Sequence, residues 1–175
     1  MRIVLWGIAA IVFLLPFIAM QVTDEVDWGV GDFVLFGVLL AGVGVGIELA
    51  MRRTGSKAYR AAVAVALVAA FFLVWLSLGV GIIGRDGDPV NGMYFGVLAV
   101  GVIGALIARF RPGGMTCALV ATTIAQMLVA VIALLAGFGK ETANYPLDIL
   151  LLTTVFVVLW LVSARLFRRA VEKAS

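Results

Sequence analysis

The chain has 175 residues, of which 64% are hydrophobic and 13% charged, with a mean hydropathy of +1.19. Soluble domains are about half apolar and about a quarter charged, so this composition excludes a soluble globular domain and points to an all-α integral membrane protein. The net charge of +3 is sorted along the chain rather than gathered in one patch, so it carries no argument for nucleic acid as a partner.

Six apolar segments approach the about 20 residues needed to cross the hydrocarbon layer. They fall at residues 3–21, 32–51, 59–83, 90–109, 114–138 and 146–167, joined by short loops, so residues 1–175 read as one transmembrane domain. Arg2 before the first segment also fits a secretory signal. No small-x-small cleavage site precedes Gln21, however, and the segment reads as an uncleaved first span that Pro16 is expected to kink.

Loop charge sets the topology, because Lys and Arg stay cytoplasmic. Arg2, Arg52, Arg53, Lys57, Arg60, Arg109, Arg111, Arg165, Arg168, Arg169 and Lys173 fall on one side, and Arg85 and Lys140 on the other. The second side also holds Asp24, Glu25, Asp27, Asp32, Asp86, Asp88, Glu141 and Asp148. Both termini are therefore expected in the cytoplasm, with Trp28, Tyr59, Tyr94 and Tyr145 at span ends as an aromatic belt.

The second and third spans, residues 32–84, are echoed by residues 91–139. Phe36-Gly37-Val38-Leu39 returns as Phe95-Gly96-Val97-Leu98, and glycines follow in each copy (Gly42, Gly44 and Gly46, then Gly101 and Gly104). Arginines and a glycine turn come next, and both copies close on glycine, Gly79 to Gly84 and Gly137 to Gly139. The pattern predicts a helical hairpin used twice in the same orientation, an internal parallel repeat.

Glycines and alanines three or four apart let transmembrane helices approach closely. Gly42 and Gly46, Gly101 and Gly104, Ala62 with Ala66 and Ala70, and Ala121 with Ala125 are the expected packing positions. Glu48 is the acidic residue set inside a span, about one turn from its end. An intramembrane carboxylate marks function by default, yet Arg52 four residues later is placed to pair with it. Gln126, one turn from Thr122, is expected to make an interhelical hydrogen bond, and Thr153 and Thr154 to bond back to their own helix.

Metal and catalytic signals are sparse. With no histidine, the commonest metal ligand and general base is missing, and a single cysteine excludes an internal disulfide. Asp24, Asp27, Asp86 and Asp88 can be drawn together as carboxylates for a divalent cation. The competing reading makes Asp88, before Pro89, a helix N-cap, and Asp32 the cap of the second span. Cys117, beside a turn, is read as a small packed residue rather than an acylation site. No phosphate loop, nucleotide fingerprint or nucleophile triad is present, and no cofactor is expected.

The run Phe95-Gly96-Val97-Leu98-Ala99-Val100-Gly101, followed by Ala108-Arg109-Phe110-Arg111-Pro112, resembles small multi-pass inner-membrane proteins of Gram-negative bacteria. The resemblance implies the bacterial inner membrane and brings no activity or site residue. Three functional readings follow from the residues. The first is a non-enzymatic accessory or scaffold protein that contacts itself or a membrane-protein partner through small-residue faces, within the lipid bilayer. The second is a small transporter or channel for an ion or small solute, with Glu48, Gln126 and the outer acidic loops as handles. The third is an enzyme of lipid or quinone chemistry, which the lack of histidine disfavours.

Overall fold

A computed structural model describes residues 2–22, 28–53, 56–85 and 87–172. Described residues are helical or in turns, and six helices are long and apolar enough to cross a membrane. They are α1 (Arg2–Val22), α2 (Val30–Arg53), α3 (Lys57–Gly79), α4 (Met93–Ile107), α5 (Pro112–Ala136) and α6 (Leu147–Glu172). A single 3-10 turn, Pro89–Gly92, leads into α4. The helices divide between two compact units, Met1–Gly55 and Ser56–Ser175. The expected first hairpin copy therefore crosses a boundary, with α2 in the first unit and α3 in the second.

In the first unit α1 and α2 pair antiparallel. The pairing rests on matched spacings: Trp6 and Phe13 are seven residues apart on α1, and so are Gly37 and Gly44 on α2. Each aromatic ring lies over a glycine, so that a Cβ built on Gly37 would sit 3.1 Å from Phe13 and one on Gly44 would sit 3.1 Å from Trp6. Rings from both helices gather toward the connecting end, with Phe13 edge-on to Phe33 at 5.9 Å and Trp28 edge-on to Phe36 at 5.3 Å. Such edge-on pairs add about 0.5–1.5 kcal/mol each beyond the area they bury. Helix α1 continues through Pro16. Asp32 is not the cap of α2 but a first-turn residue, and its carboxylate accepts from the Gly29 N–H at 2.8 Å, as the returning half of a capping box does.

The second unit is a bundle in which α6 packs against both α3 and α5, α5 against α4, and α4 touches α3. Close backbone approach holds α4 to α5. A Cβ on Gly104 would lie 2.8 Å from that of Ala118, one on Gly114 would lie 2.7 Å from that of Ala108, and one on Gly101 would lie 3.1 Å from Thr122 Oγ1. The turn between these helices is correspondingly tight. Arg109 and Phe110, rather than a glycine, take the left-handed region there (φ 50° and 58°), at a cost of order 1–2 kcal/mol each. The Tyr59 hydroxyl donates to the Phe110 carbonyl at 2.9 Å and helps hold that conformation. Tyr59 and Tyr94 are buried rather than set in an outward belt.

Helix α3 stops at Gly79, short of the expected residue 83, because the chain turns at Gly81 (φ 77°) and folds Ile82 and Ile83 inward. Asn91 fastens this turn with all of its amide capacity. Its Oδ1 accepts from the Ile82 and Ile83 N–H groups, each at 2.9 Å, and its Nδ2 donates to the Ile83 and Arg85 carbonyls, each at 3.1 Å. The glycines that close the two expected hairpin copies meet each other, since a Cβ on Gly139 (φ 80°) would fall 2.8 Å from the Gly84 nitrogen. The matched strings themselves bury different faces. Phe36 is buried and Val38 exposed in α2, whereas Phe95 is exposed and Val97 buried in α4, because α2 is packed by α1 and α4 by α5.

Candidate functional site

Two sets of polar side chains lie within the membrane-length helices, one in each unit. In the first, Glu48 is joined to both of the groups nearest it in register. Arg52 donates to its Oε1 at 2.7 Å, and the Trp6 indole N–H donates to its Oε2 at 3.2 Å. The carboxylate side chain is 16% exposed while that of Arg52 is 64% exposed, so the acid turns into the hairpin and the guanidinium extends away. The arrangement is a clasp between α1 and α2. With both oxygens engaged, its chemistry is that of a structural ion pair and hydrogen bond. Trp6 was not legible as a partner from loop and span reading, but its spacing from Phe13, matched to Gly44 and Gly37, is a signal that finds it.

The second set lies in the bundle. Gln126 is fully buried, and neither its Nε2 nor its Oε1 has a hydrogen-bond partner, so the interhelical bond expected of it is not formed. Helix α5 satisfies its shorter polar residues locally instead, with Thr122 and Thr123 donating to the carbonyls one turn back. The Gln126 amide has no such route to its own backbone. Thr116 on α5 approaches the Ala164 carbonyl on α6, and this antiparallel register brings Gln126 level with Thr153 and Thr154. Thr154 bonds back to Leu150, but the buried Thr153 hydroxyl makes no bond of standard geometry. The Tyr94 hydroxyl is turned to the Thr153 side chain, and the two meet without a hydrogen bond of standard geometry. Tyr94 of α4 and Thr153 of α6 thus face each other, and the helix register sets Gln126 of α5 at about their level, as a polar layer among the three helices. Further along the buried face of α6, the Trp160 indole N–H is also unpaired, while Ser163 donates to the Ala62 carbonyl of α3 at 2.8 Å.

The remaining expected sites separate. Of the four carboxylates drawn together for a cation, Asp24, Asp27 and Asp86 lie outside the described residues. Asp88 caps the 3-10 turn by accepting from Val90 N–H at 3.0 Å. Among the described residues no three Asp, Glu or Cys side chains gather. Gly101 and Gly104 meet α5, but a Cβ on Gly42 would meet nothing within 4 Å, because the α1 contact falls on the other face of α2 at Gly37 and Gly44. Gly46 is half-buried. Ala62 is buried against α6, whereas Ala121 is exposed and Ala118 and Thr122 take the contact with α4. Cys117 is exposed rather than packed, since it lies on the face of α5 turned away from Ala118.

Compared with known proteins, the chain matches no family model, and neither a curated protein nor a solved structure is significantly similar to it. Its function must therefore be argued from these residues.

Proposed function

We propose that the protein is a non-enzymatic membrane accessory or scaffold protein that acts through helix–helix contacts with itself or with a membrane partner. The observation that carries this reading is the stripe Val34, Val38, Gly42, Val45 and Leu49 on α2. These residues recur at helical spacing, all are exposed, and the space over Gly42 is open. In hydrocarbon, apolar surface alone does not drive helices together, and a notch left by a small residue on an exposed apolar face is what lets another backbone come close. The Glu48 clasp supports the same reading, because it accounts structurally for the carboxylate that a transporter would have used.

The experiment is the association state of the whole protein in mild detergent, read by native mass spectrometry. Wild type is expected to appear as a dimer or with a co-purifying membrane protein, and Gly42→Leu is expected to lose that species while remaining a folded monomer. A monomeric wild type with nothing bound rejects the reading.

For placement we read the bacterial inner membrane with both termini in the cytoplasm, supported by the eleven Lys and Arg on one side of the spans against two on the other. In a Cys117→Ser background, Lys140→Cys should react with an impermeant thiol reagent in intact cells and Lys57→Cys should not. The repeated hairpin is read as a duplication whose copies have since buried different faces.

A second reading, a small transporter or channel, is favoured by the layer of Tyr94, Gln126 and Thr153. Unpaired buried polar groups cost about 1–3 kcal/mol each, and a polar solute passing through the bundle would satisfy them. Proteoliposomes assayed with glycerol or potassium as the probe should then show flux that Gln126→Leu abolishes. Flux no greater than in protein-free liposomes leaves the scaffold reading in place.

A further inference from the structure

At the end of the bundle where α5 begins and α6 finishes, an open cleft of about 530 Å³ lies between Thr116 on α5 and Ala164, Arg165, Arg168, Arg169 and Glu172 on α6. Its volume is within the few hundred to a thousand Å³ of small-molecule sites. Three guanidinium groups share it with one carboxylate. Glu172 is held by Arg168 at 3.3 Å, and among the described residues Arg165 and Arg169 make no ion pair with a carboxylate. Because Arg165 and Arg169 are four residues apart on one helix, their like charges oppose each other until an anion sits between them. The Thr116 hydroxyl points at the Pro112 and Ala164 carbonyls, so recognition in this cleft falls to the arginines.

We propose that this cleft binds the phosphate-bearing headgroup of an anionic phospholipid. Planar guanidinium forks match phosphate oxygens in pairs, and basic pockets at the ends of membrane helices are where lipid headgroups are met. The choice of a lipid over a soluble phosphate rests on what borders the cleft. One to two turns further along the same helices, Leu161 and Val158 of α6 and Val120 of α5 are exposed. A headgroup held by Arg165 and Arg169 therefore has an apolar surface beside it on which its acyl chains can lie, whereas inorganic phosphate would use only the charges. The inference does not depend on which side of the membrane this end faces, since both leaflets present headgroups at the helix ends.

The test is the melting temperature of the full-length protein in neutral detergent, titrated separately with phosphatidylglycerol, phosphatidylcholine, glycerol 3-phosphate and inorganic phosphate. Phosphatidylglycerol is expected to raise it saturably, and the other three are not. Arg165→Gln with Arg169→Gln should weaken the apparent affinity for phosphatidylglycerol by about tenfold or more. Arg109→Gln with Arg111→Gln removes the same charge from the α4–α5 turn and should change it by less than about twofold on the same scale. An equal response to phosphatidylcholine, or an equal loss in the Arg109 and Arg111 variant, overturns a specific anionic site. An equal response to either free phosphate overturns the lipid as occupant. If the Arg165 and Arg169 variant does not fold, native mass spectrometry of wild type from an equimolar lipid mixture decides instead. Preferential retention of phosphatidylglycerol that declines with added salt supports the site, and equal retention of the two lipids overturns it.

Discussion

The α1–α2 hairpin and the α3–α6 bundle solve the same problem by different means. Neither can rely on burying apolar surface from water, because lipid is as apolar as a leucine side chain. The hairpin sets large rings into gaps left by glycine, Trp6 on Gly44 and Phe13 on Gly37, and closes with the Trp6, Glu48 and Arg52 clasp. The bundle brings backbones together with small residues on both sides, Gly104 on Ala118 and Gly114 on Ala108, and ties its helices by hydrogen bonds to carbonyls. The difference predicts where each is fragile. A ring can turn aside when a methyl group is added opposite it, but a backbone cannot.

The largest effect is expected from Asn91→Ala. It removes four hydrogen bonds at once, two of them from the N–H groups of the buried residues Ile82 and Ile83. With each unpaired buried group costing about 1–3 kcal/mol, the bundle should lose about 3 kcal/mol or more in a reversible detergent unfolding titration. A loss under about 1 kcal/mol on the same scale would mean water replaces the amide.

Next comes Gly104→Leu, in which even the first added carbon would lie 2.8 Å from Ala118 Cβ and 3.2 Å from its Cα. Overpacking of this kind costs about 1–3 kcal/mol, and Gly44→Ala in the hairpin should cost less because Trp6 can shift. Equal losses for the two would erase the distinction between the units.

The clasp should be weaker still. A double-mutant cycle of Trp6→Phe with Glu48→Gln, read by the same unfolding titration, is expected to give a coupling of about 0.5–1 kcal/mol. A coupling near zero would mean that the indole and the carboxylate are adjacent without supporting each other. Smallest of all is Gly42→Leu, at a position where an added Cβ meets nothing within 4 Å, and it should leave the melting temperature of the isolated protomer unchanged.

The six spans were legible in the sequence because length and hydropathy alone define them, and their ends were not. Helix α6 runs to Glu172, past the expected residue 167, because the arginine-rich turn is polar in composition yet fully helical in propensity. Helix α3 ends early because Ile82 and Ile83 are as apolar in a turn as in a helix; the glycines Gly79, Gly81 and Gly84 mark the turn, but that it folds inward is set by the distant Asn91. The pairing of Glu48 with Arg52 could be read from local spacing, while the share taken by Trp6 required knowing which face of α2 met α1. Spacing on one helix identified Gly42 as small and could not say that its side was open. The polar layer was half visible: Gln126 stood out, but Tyr94 read as a membrane-belt residue and Thr153 as locally satisfied.

The reach of Asn91 also has a consequence for biogenesis. During synthesis, α3 and the turn after it emerge before residue 91, so the N–H groups of Ile82 and Ile83 and the carbonyl of Arg85 wait for a side chain not yet made. Helix α3 itself closes locally, with the Val80 and Gly81 N–H groups on the Leu76 carbonyl, but the turn after it is completed only when residue 91 is delivered. A nascent chain halted before Asn91 would hold α3 formed and the turn at Ile82 and Ile83 open, and one released just after it would close that turn with a single residue.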